Sequence, residues 1–178
     1  MTVNQIEEIV MKHYSQLGHT PITTRFTGMG IGEADVISIT KAGFISEFEI
    51  KCSRNDYLAD FRNKGYKHKA MLKRAGVKVY PSGEVWYKSA NKFWFVVPEN
   101  LIMLHEIPEY AGLIYISENH LSIIKNAPRL HKHKATESLY KKIAHNLMNK
   151  LIYGCSYMNY RRKENQKILE VIEPPNTN

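Results

Sequence analysis

Two short apolar runs set two residues apart constrain this chain more than any other feature. ADVISIT (34–40) and GFISEFEIKC (43–52) have the length and the β-branched and aromatic content of strands, and only Lys41 and Ala42 separate them. So short a connection leaves no room for a crossover, and the two runs are expected to pair as an antiparallel hairpin. Side chains alternate along a strand. In the second run Phe44, Ser46, Phe48 and Ile50 therefore share one face, and Ile45, Glu47, Glu49 and Lys51 share the other. The first face suits a hydrophobic core. The second ends in two carboxylates and an amine, an expensive set of groups to take out of water unless something uses them. The hairpin also carries Asp35, near the start of the first run, towards Glu49.

The remaining segments surround this hairpin with helices and further strands. Residues 3–17 have helical periodicity, with Ile6, Ile9, Val10, His13, Tyr14 and Leu17 on one side and Gly18 as the stop. Residues 19–32, with Pro21 and a glycine-rich stretch, read as loop. SRNDYLADF opens a helix running to about Ala75, with Ser53, Asn55 and Asp56 as capping candidates and Gly65 as a point of bending or interruption. A second hairpin is expected over 77–88, turning at Pro81-Ser82-Gly83, followed by strands at 92–98, 112–117 and 121–125. Basic helices are expected over about 134–153 and 160–171. This order predicts an α/β (α+β) fold, a mixed β-sheet flanked by helices. At 178 residues it is read as one domain over 1–172, with a core over about 3–130, C-terminal basic helices over about 134–171, and a disordered tail at 173–178.

Composition narrows the function classes. No apolar run approaches the ~20 residues needed to span a bilayer. The N-terminus carries acids where a signal peptide would be basic and then apolar, so no membrane association and a cytoplasmic location are expected. Two cysteines, Cys52 and Cys155, make neither a disulfide framework nor a metal cluster. The net charge of +8 is unevenly spread. Ten Lys/Arg stand against one acid between Lys125 and Lys163, and nine against four acids between Lys41 and Arg74. Such surfaces suit a polyanion, because neutralising phosphates releases condensed counterions; a solvated basic face is the competing reading.

Asp35, Glu49 and Lys51 together suggest a definite chemistry. Two carboxylates with room left around them suit Mg²⁺, or Mn²⁺ in its place; Mg²⁺ is hard, prefers oxygen and keeps several of its waters. A lysine beside such an ion can hold or deprotonate the attacking water and offset charge on a phosphate in the transition state. Alone, Asp…Glu-x-Lys is a weak pattern, and an exposed strand striped with ion pairs would also contain it.

Longer segments carry more weight. GEADV, EFEIKCSRNDYLADF, KFWFVVPENLI, IPEYAGLIYIS and IKNAPRLHKHKA follow one another over about residues 32–135, interrupted by the 76–90 hairpin. In this order they resemble a branch of the PD-(D/E)xK nuclease superfamily, and within it phage-type nuclease-like proteins and MmcB-like DNA repair proteins. The resemblance implies a restriction-endonuclease-like core, a divalent cation, and DNA as substrate, with RNA left open. It implies Asp35 and Glu49 as metal ligands, with the main-chain carbonyl of Ile50, and Lys51 as the catalytic lysine. Ala34 stands where the superfamily label has proline. Some members place a glutamate of the first helix near the metal; Glu7, at the border of the apolar face, is the candidate here. Ser53 and Asp56 either cap the helix or order the site, capping being preferred. Arg54 is a candidate phosphate contact, and Lys67, His68, Lys69, Arg129, His131, Lys132 and Lys134 form the expected nucleic-acid-facing basic patch. Tyr66, Trp86 or Tyr87 are candidates for stacking on an unpaired base. Members often dimerise to cut two strands, which makes a homodimer an expectation from the resemblance.

Overall fold

The computed structural model describes residues 1–29, 32–118 and 120–153. The hairpin that dominates the sequence forms the middle of a six-stranded sheet. After helix α1 (Val3–Gln16) come β1 (Ile22–Phe26), β2 (Ala34–Ile39) and β3 (Ile45–Ile50). Two consecutive helices follow, α2 (Arg54–Asn63) and α3 (Gly65–Leu72), then a separate hairpin of β4 (Val77–Val79) and β5 (Val85–Tyr87). The chain returns to the main sheet with β6 (Lys92–Pro98), β7 (Ala111–Ser117) and β8 (His120–Lys125), and α4 spans Glu137–Tyr153. The spatial order is β1-β2-β3-β6-β7-β8. β3, β6 and β7 run parallel to one another, and the outer pairings are antiparallel. The mixed sheet flanked by helices is thus the α/β architecture that the element order predicts.

Both faces of the sheet are covered. On one, Ile6, Val10 and Tyr14 of α1 pack on Val36, Phe48, Ile50, Trp94 and Val96. On the other, α4 sets Leu139 and Ile143 against Ile37, Ile39 and Ile45, while Tyr57 and Met71 of α2 and α3 cover Phe93, Phe95 and Leu113. Double coverage explains why β6 and β7 read as continuous apolar runs. Every residue of β3 is buried, so the reading of an exposed, charge-striped strand does not hold.

Three local expectations change. β1 occupies part of the stretch read as loop. Its sequence, ITTRF, lacks clear alternation, and Arg25 at a φ of 45° interrupts the regular strand. The helix expected from Ser53 to about Ala75 breaks into two at Lys64, which closes α2 and opens α3 at φ −115° and ψ 29°. Residues 134–136, expected to be helical, precede α4, which starts at Glu137. The expected helix at 160–171, the tail and Cys155 lie outside the described residues. Among the described residues, no helix is long and apolar enough to cross a membrane.

Candidate functional site

Antiparallel register places Val36 opposite Phe48 and Ile37 opposite Glu47; one step further along the same ladder, Asp35 faces Glu49. Both carboxylates lie on the α2–α3 side of the sheet, at the floor of a cavity of about 590 Å³ that Glu7, Lys51, Asp60 and Lys64 also line. The structure therefore brings Asp35, Glu49 and Lys51 together, and α1 turns Glu7 into the same cavity. There Glu7 meets Arg25 Nε at 3.5 Å, and burial outweighs that charge and raises its carboxyl above the ordinary range.

Glu49 is held by three amines. Its Oε1 accepts from Lys51 Nζ at 2.9 Å and from Lys64 Nζ, and its Oε2 from Lys67 Nζ at 3.0 Å. Burial alone would raise its carboxyl, but the charges of Lys67, Lys64 and Lys51 overcome this and keep it below the usual carboxylate range. Lys67 also pairs with Glu47, which burial raises despite that partner. Lys51 extends from Glu49 to Asp60 Oδ1 at 2.8 Å. Burial would lower the Lys51 ammonium, yet Glu49 and Asp60 raise it well above its ordinary value. In this arrangement Lys51 is held as an ammonium between two carboxylates.

Asp60 in turn is oriented from behind. Its Oδ2 accepts from His68 Nε2 at 2.8 Å, and His68 Nδ1 meets the Tyr110 hydroxyl at 2.7 Å. An ionised carboxylate only accepts, so His68 donates through Nε2, and in the neutral ring Nδ1 accepts from Tyr110. Burial opposes ionisation of Asp60, but the hydrogen bond from His68 and the Lys64 and Lys51 charges hold its carboxyl far below the ordinary range.

Asp35 is treated differently. Its Oδ2 accepts from Ile50 N at 2.7 Å, and it forms no ion pair with any described lysine or arginine. Burial, with the Glu49 charge adding to it, pushes its carboxyl from 3.8 up to about 7. A half-buried carboxylate beside a second one and lacking a cation of its own is a donor set suited to a hard divalent ion. Among the described residues no three His, Cys, Asp or Glu side chains gather into a ready-made metal cage. Two carboxylates and a main-chain carbonyl nevertheless suffice for an ion that retains its own waters.

The basic patch is the part that the structure rearranges most. Lys67 and His68, expected to face phosphate, are buried in the site just described. His131 is half-buried and pinned: Nε2 donates to Ser89 O at 2.8 Å, while Nδ1 accepts from Asn91 Nδ2 at 3.1 Å and from His133 N. Arg54 grips both oxygens of Glu106, at 3.1 and 2.6 Å, and is occupied by that pair. Lys69, Arg129, Lys132 and Lys134 remain exposed. Arg129 and Lys134 flank the ring of Phe44, which precedes β3 and lies five residues before Glu49, roughly 17 Å of extended chain. Ser53 caps α2, its Oγ accepting from Asp56 N at 3.1 Å; the Asp56 carboxylate lies 3.9 Å from Lys51 Nζ instead of capping. Tyr87 is buried with its hydroxyl bonded to Lys134 O and Thr136 N, so it offers no stacking surface, whereas Tyr66 and Trp86 are exposed.

Glu47, Asp60, Lys64 and Tyr110 belong to the site although the pattern Asp…Glu-x-Lys does not point to them. A signal for some of them was present. Asp60, Lys64, Lys67 and His68 recur at helical spacing alongside Tyr57, Phe61 and Met71, so charged groups occupy positions where a core-facing helix normally carries apolar ones.

The fold and site define a mixed α/β protein with a buried carboxylate–lysine cluster at one end of its central hairpin. No protein-family model and no curated protein matches the chain. Among solved structures it is similar to a protein of unknown function from Silicibacter pomeroyi, with a TM-score of 0.54 and 20% identity over 80% of this chain and 85% of that one. That likeness concerns the fold alone.

Proposed function

We propose that this protein is a divalent-metal-dependent nuclease that hydrolyses DNA phosphodiester bonds in the cytoplasm, in DNA repair or processing or in phage DNA metabolism. The observation that carries this reading is the juxtaposition across β2 and β3: Asp35 faces Glu49, with Lys51 beside them, in an open cavity. Strand order supports the same resemblance, because an antiparallel hairpin joined in parallel to the next strand presents these residues at one end of a mixed sheet. Asp35, Glu49 and the Ile50 carbonyl would hold Mg²⁺ or Mn²⁺, which when bound would polarise a phosphoryl oxygen and acidify a water. The chain's own contribution is positional. Asp60 and Glu49 fix the Lys51 ammonium at the cavity, where it would offset charge on a phosphate oxygen. His68 and Tyr110 hold Asp60 in turn, and Lys69, Arg129, Lys132 and Lys134 would bind the backbone away from the cut.

One observation favours a second reading. Both oxygens of Glu49 already have ammonium partners, as expected of a catalytically silent DNA-binding accessory protein of the same fold. Supercoiled, linear, single-stranded and branched DNA incubated with Mg²⁺ or Mn²⁺ distinguish the two. Cleavage that disappears in Glu49→Ala and Lys51→Ala supports the nuclease, and cleavage surviving both removes the proposed site. Tight binding without any cleavage selects the accessory protein.

A further inference from the structure

The three amines around Glu49 are not equivalent. Lys67 is fully buried between Glu47 and Glu49, with a side-chain exposure of 0%, and Lys51 is clamped between Glu49 and Asp60 at 7%. Lys64 is 26% exposed and lines the cavity itself. It also sits at the break between α2 and α3, where its backbone is not helical, and it precedes Gly65, around which the structure leaves open space. Of the three, Lys64 is therefore the amine most open to water, and the one whose release from Glu49 and Asp60 meets the least packing around it.

Glu49 is paired with Lys51, Lys64 and Lys67, Asp60 with Lys51 and Lys64, and Glu47 with Lys67. Asp35 forms no ion pair among the described residues, and Asp56 lies 3.9 Å from Lys51. A divalent ion arriving between Asp35 and Glu49 would bring two positive charges to a carboxylate that three ammonium groups already neutralise. Glu49 Oε1, one of the oxygens such an ion would use, already accepts from Lys51 and Lys64. Like charges sharing one carboxylate oxygen repel, and burial strengthens the repulsion.

We propose that Lys64 is an exchangeable internal cation, which neutralises Glu49 and Asp60 in the metal-free protein and yields Glu49 to a divalent metal ion when one enters the cavity. This rests on the metal-dependent reading above. Lys64 thereby sets the metal affinity of the site by competition, and its displaced ammonium swings to the cavity mouth, where a phosphate would meet it. Lys51 and Lys67 stay in place and keep Glu49 oriented through the exchange.

The test is calorimetric titration of the full chain with MnCl₂, so the readout is binding and not turnover. Wild type, Lys64→Met and Lys64→Gln would be compared with Asp35→Asn, with circular dichroism verifying that each is folded; Lys64→Gln retains a hydrogen-bond donor to Glu49 should methionine unfold the chain. Removing the competing charge is expected to tighten Mn²⁺ binding at least tenfold in either Lys64 variant, and Asp35→Asn is expected to abolish it. Equal or weaker binding by folded Lys64 variants, with Asp35→Asn still losing the ion, overturns the exchange and leaves the nuclease reading standing. Binding that Asp35→Asn does not affect, or absence of binding in wild type and Lys64 variants alike, overturns both.

Discussion

Replacing Asp35 by asparagine is expected to stabilise the metal-free protein, by an amount that grows with pH. The wild-type carboxyl titrates near 7 in the folded protein against 3.8 as its ordinary value, because burial and the Glu49 charge disfavour its ionised form. Between these two values the folded chain keeps a proton that the unfolded chain has released, so stability falls as pH rises through this window. Below 3.8 the group contributes nothing; above about 7 its full penalty is present. A displacement of about three pH units at 1.36 kcal/mol each corresponds to about 4 kcal/mol. Asparagine cannot ionise, and its side-chain carbonyl still accepts from Ile50 N, so the substitution removes the penalty and keeps the bond. For a chain of this size 4 kcal/mol is on the order of 10 °C in melting temperature. Thermal and urea unfolding of both proteins in EDTA at pH 4 and pH 8 measure the effect. The variant should gain little at the lower pH and most of the 4 kcal/mol at the higher one. Equal stabilities at pH 8, or a gap that does not widen between the two, would refute the assignment of Asp35 as a desolvated carboxylate lacking a cation. Stability sacrificed at a site needed for binding is a common signature of function.

Other consequences follow from the same cluster. Lys67→Met would leave Glu47 buried with no ammonium partner, at a cost of about 3–5 kcal/mol in urea unfolding; a loss below 1 kcal/mol would mean that the pair is not buried as described. Tyr110→Phe removes the hydroxyl that meets His68 Nδ1 and should destabilise by about 1–3 kcal/mol, visible as a shift in the denaturation midpoint. DNA affinity measured by fluorescence anisotropy should fall steeply with added salt. Lys132→Ala and Lys134→Ala should each flatten the log–log slope by about 1, while His131→Ala, which loosens its contacts with Ser89 and Asn91, should lower stability and leave the slope unchanged.

The hairpin shows how far local information reaches. Alternation sufficed to put Glu47, Glu49 and Lys51 on one face, but a two-residue turn would have set Asp35 opposite Phe48. The observed three-residue turn, with Thr40 opposite Phe44 and Gly43 at a φ of 85°, brings Asp35 opposite Glu49 instead. Periodicity likewise placed α1, and with it Glu7 at the edge of the apolar face. β1 escaped because an irregular edge strand has no such period: Arg25 breaks the pattern that would have revealed it. The fates of the lysines were not local properties at all. Lys67 and Lys69 stand two residues apart in one basic run, yet the first is fully buried against Glu47 and Glu49 and the second is in water, because helix packing turns one face of α3 towards β3. Asp60, His68 and Tyr110 are joined only when α2, α3 and the start of β7 converge. The sequence by itself determined the hairpin and the face that Glu47, Glu49 and Lys51 share. Tertiary structure alone decided which charges those residues meet, because the energy of a buried charge depends on the partners brought to it through space and not on its neighbours in the chain.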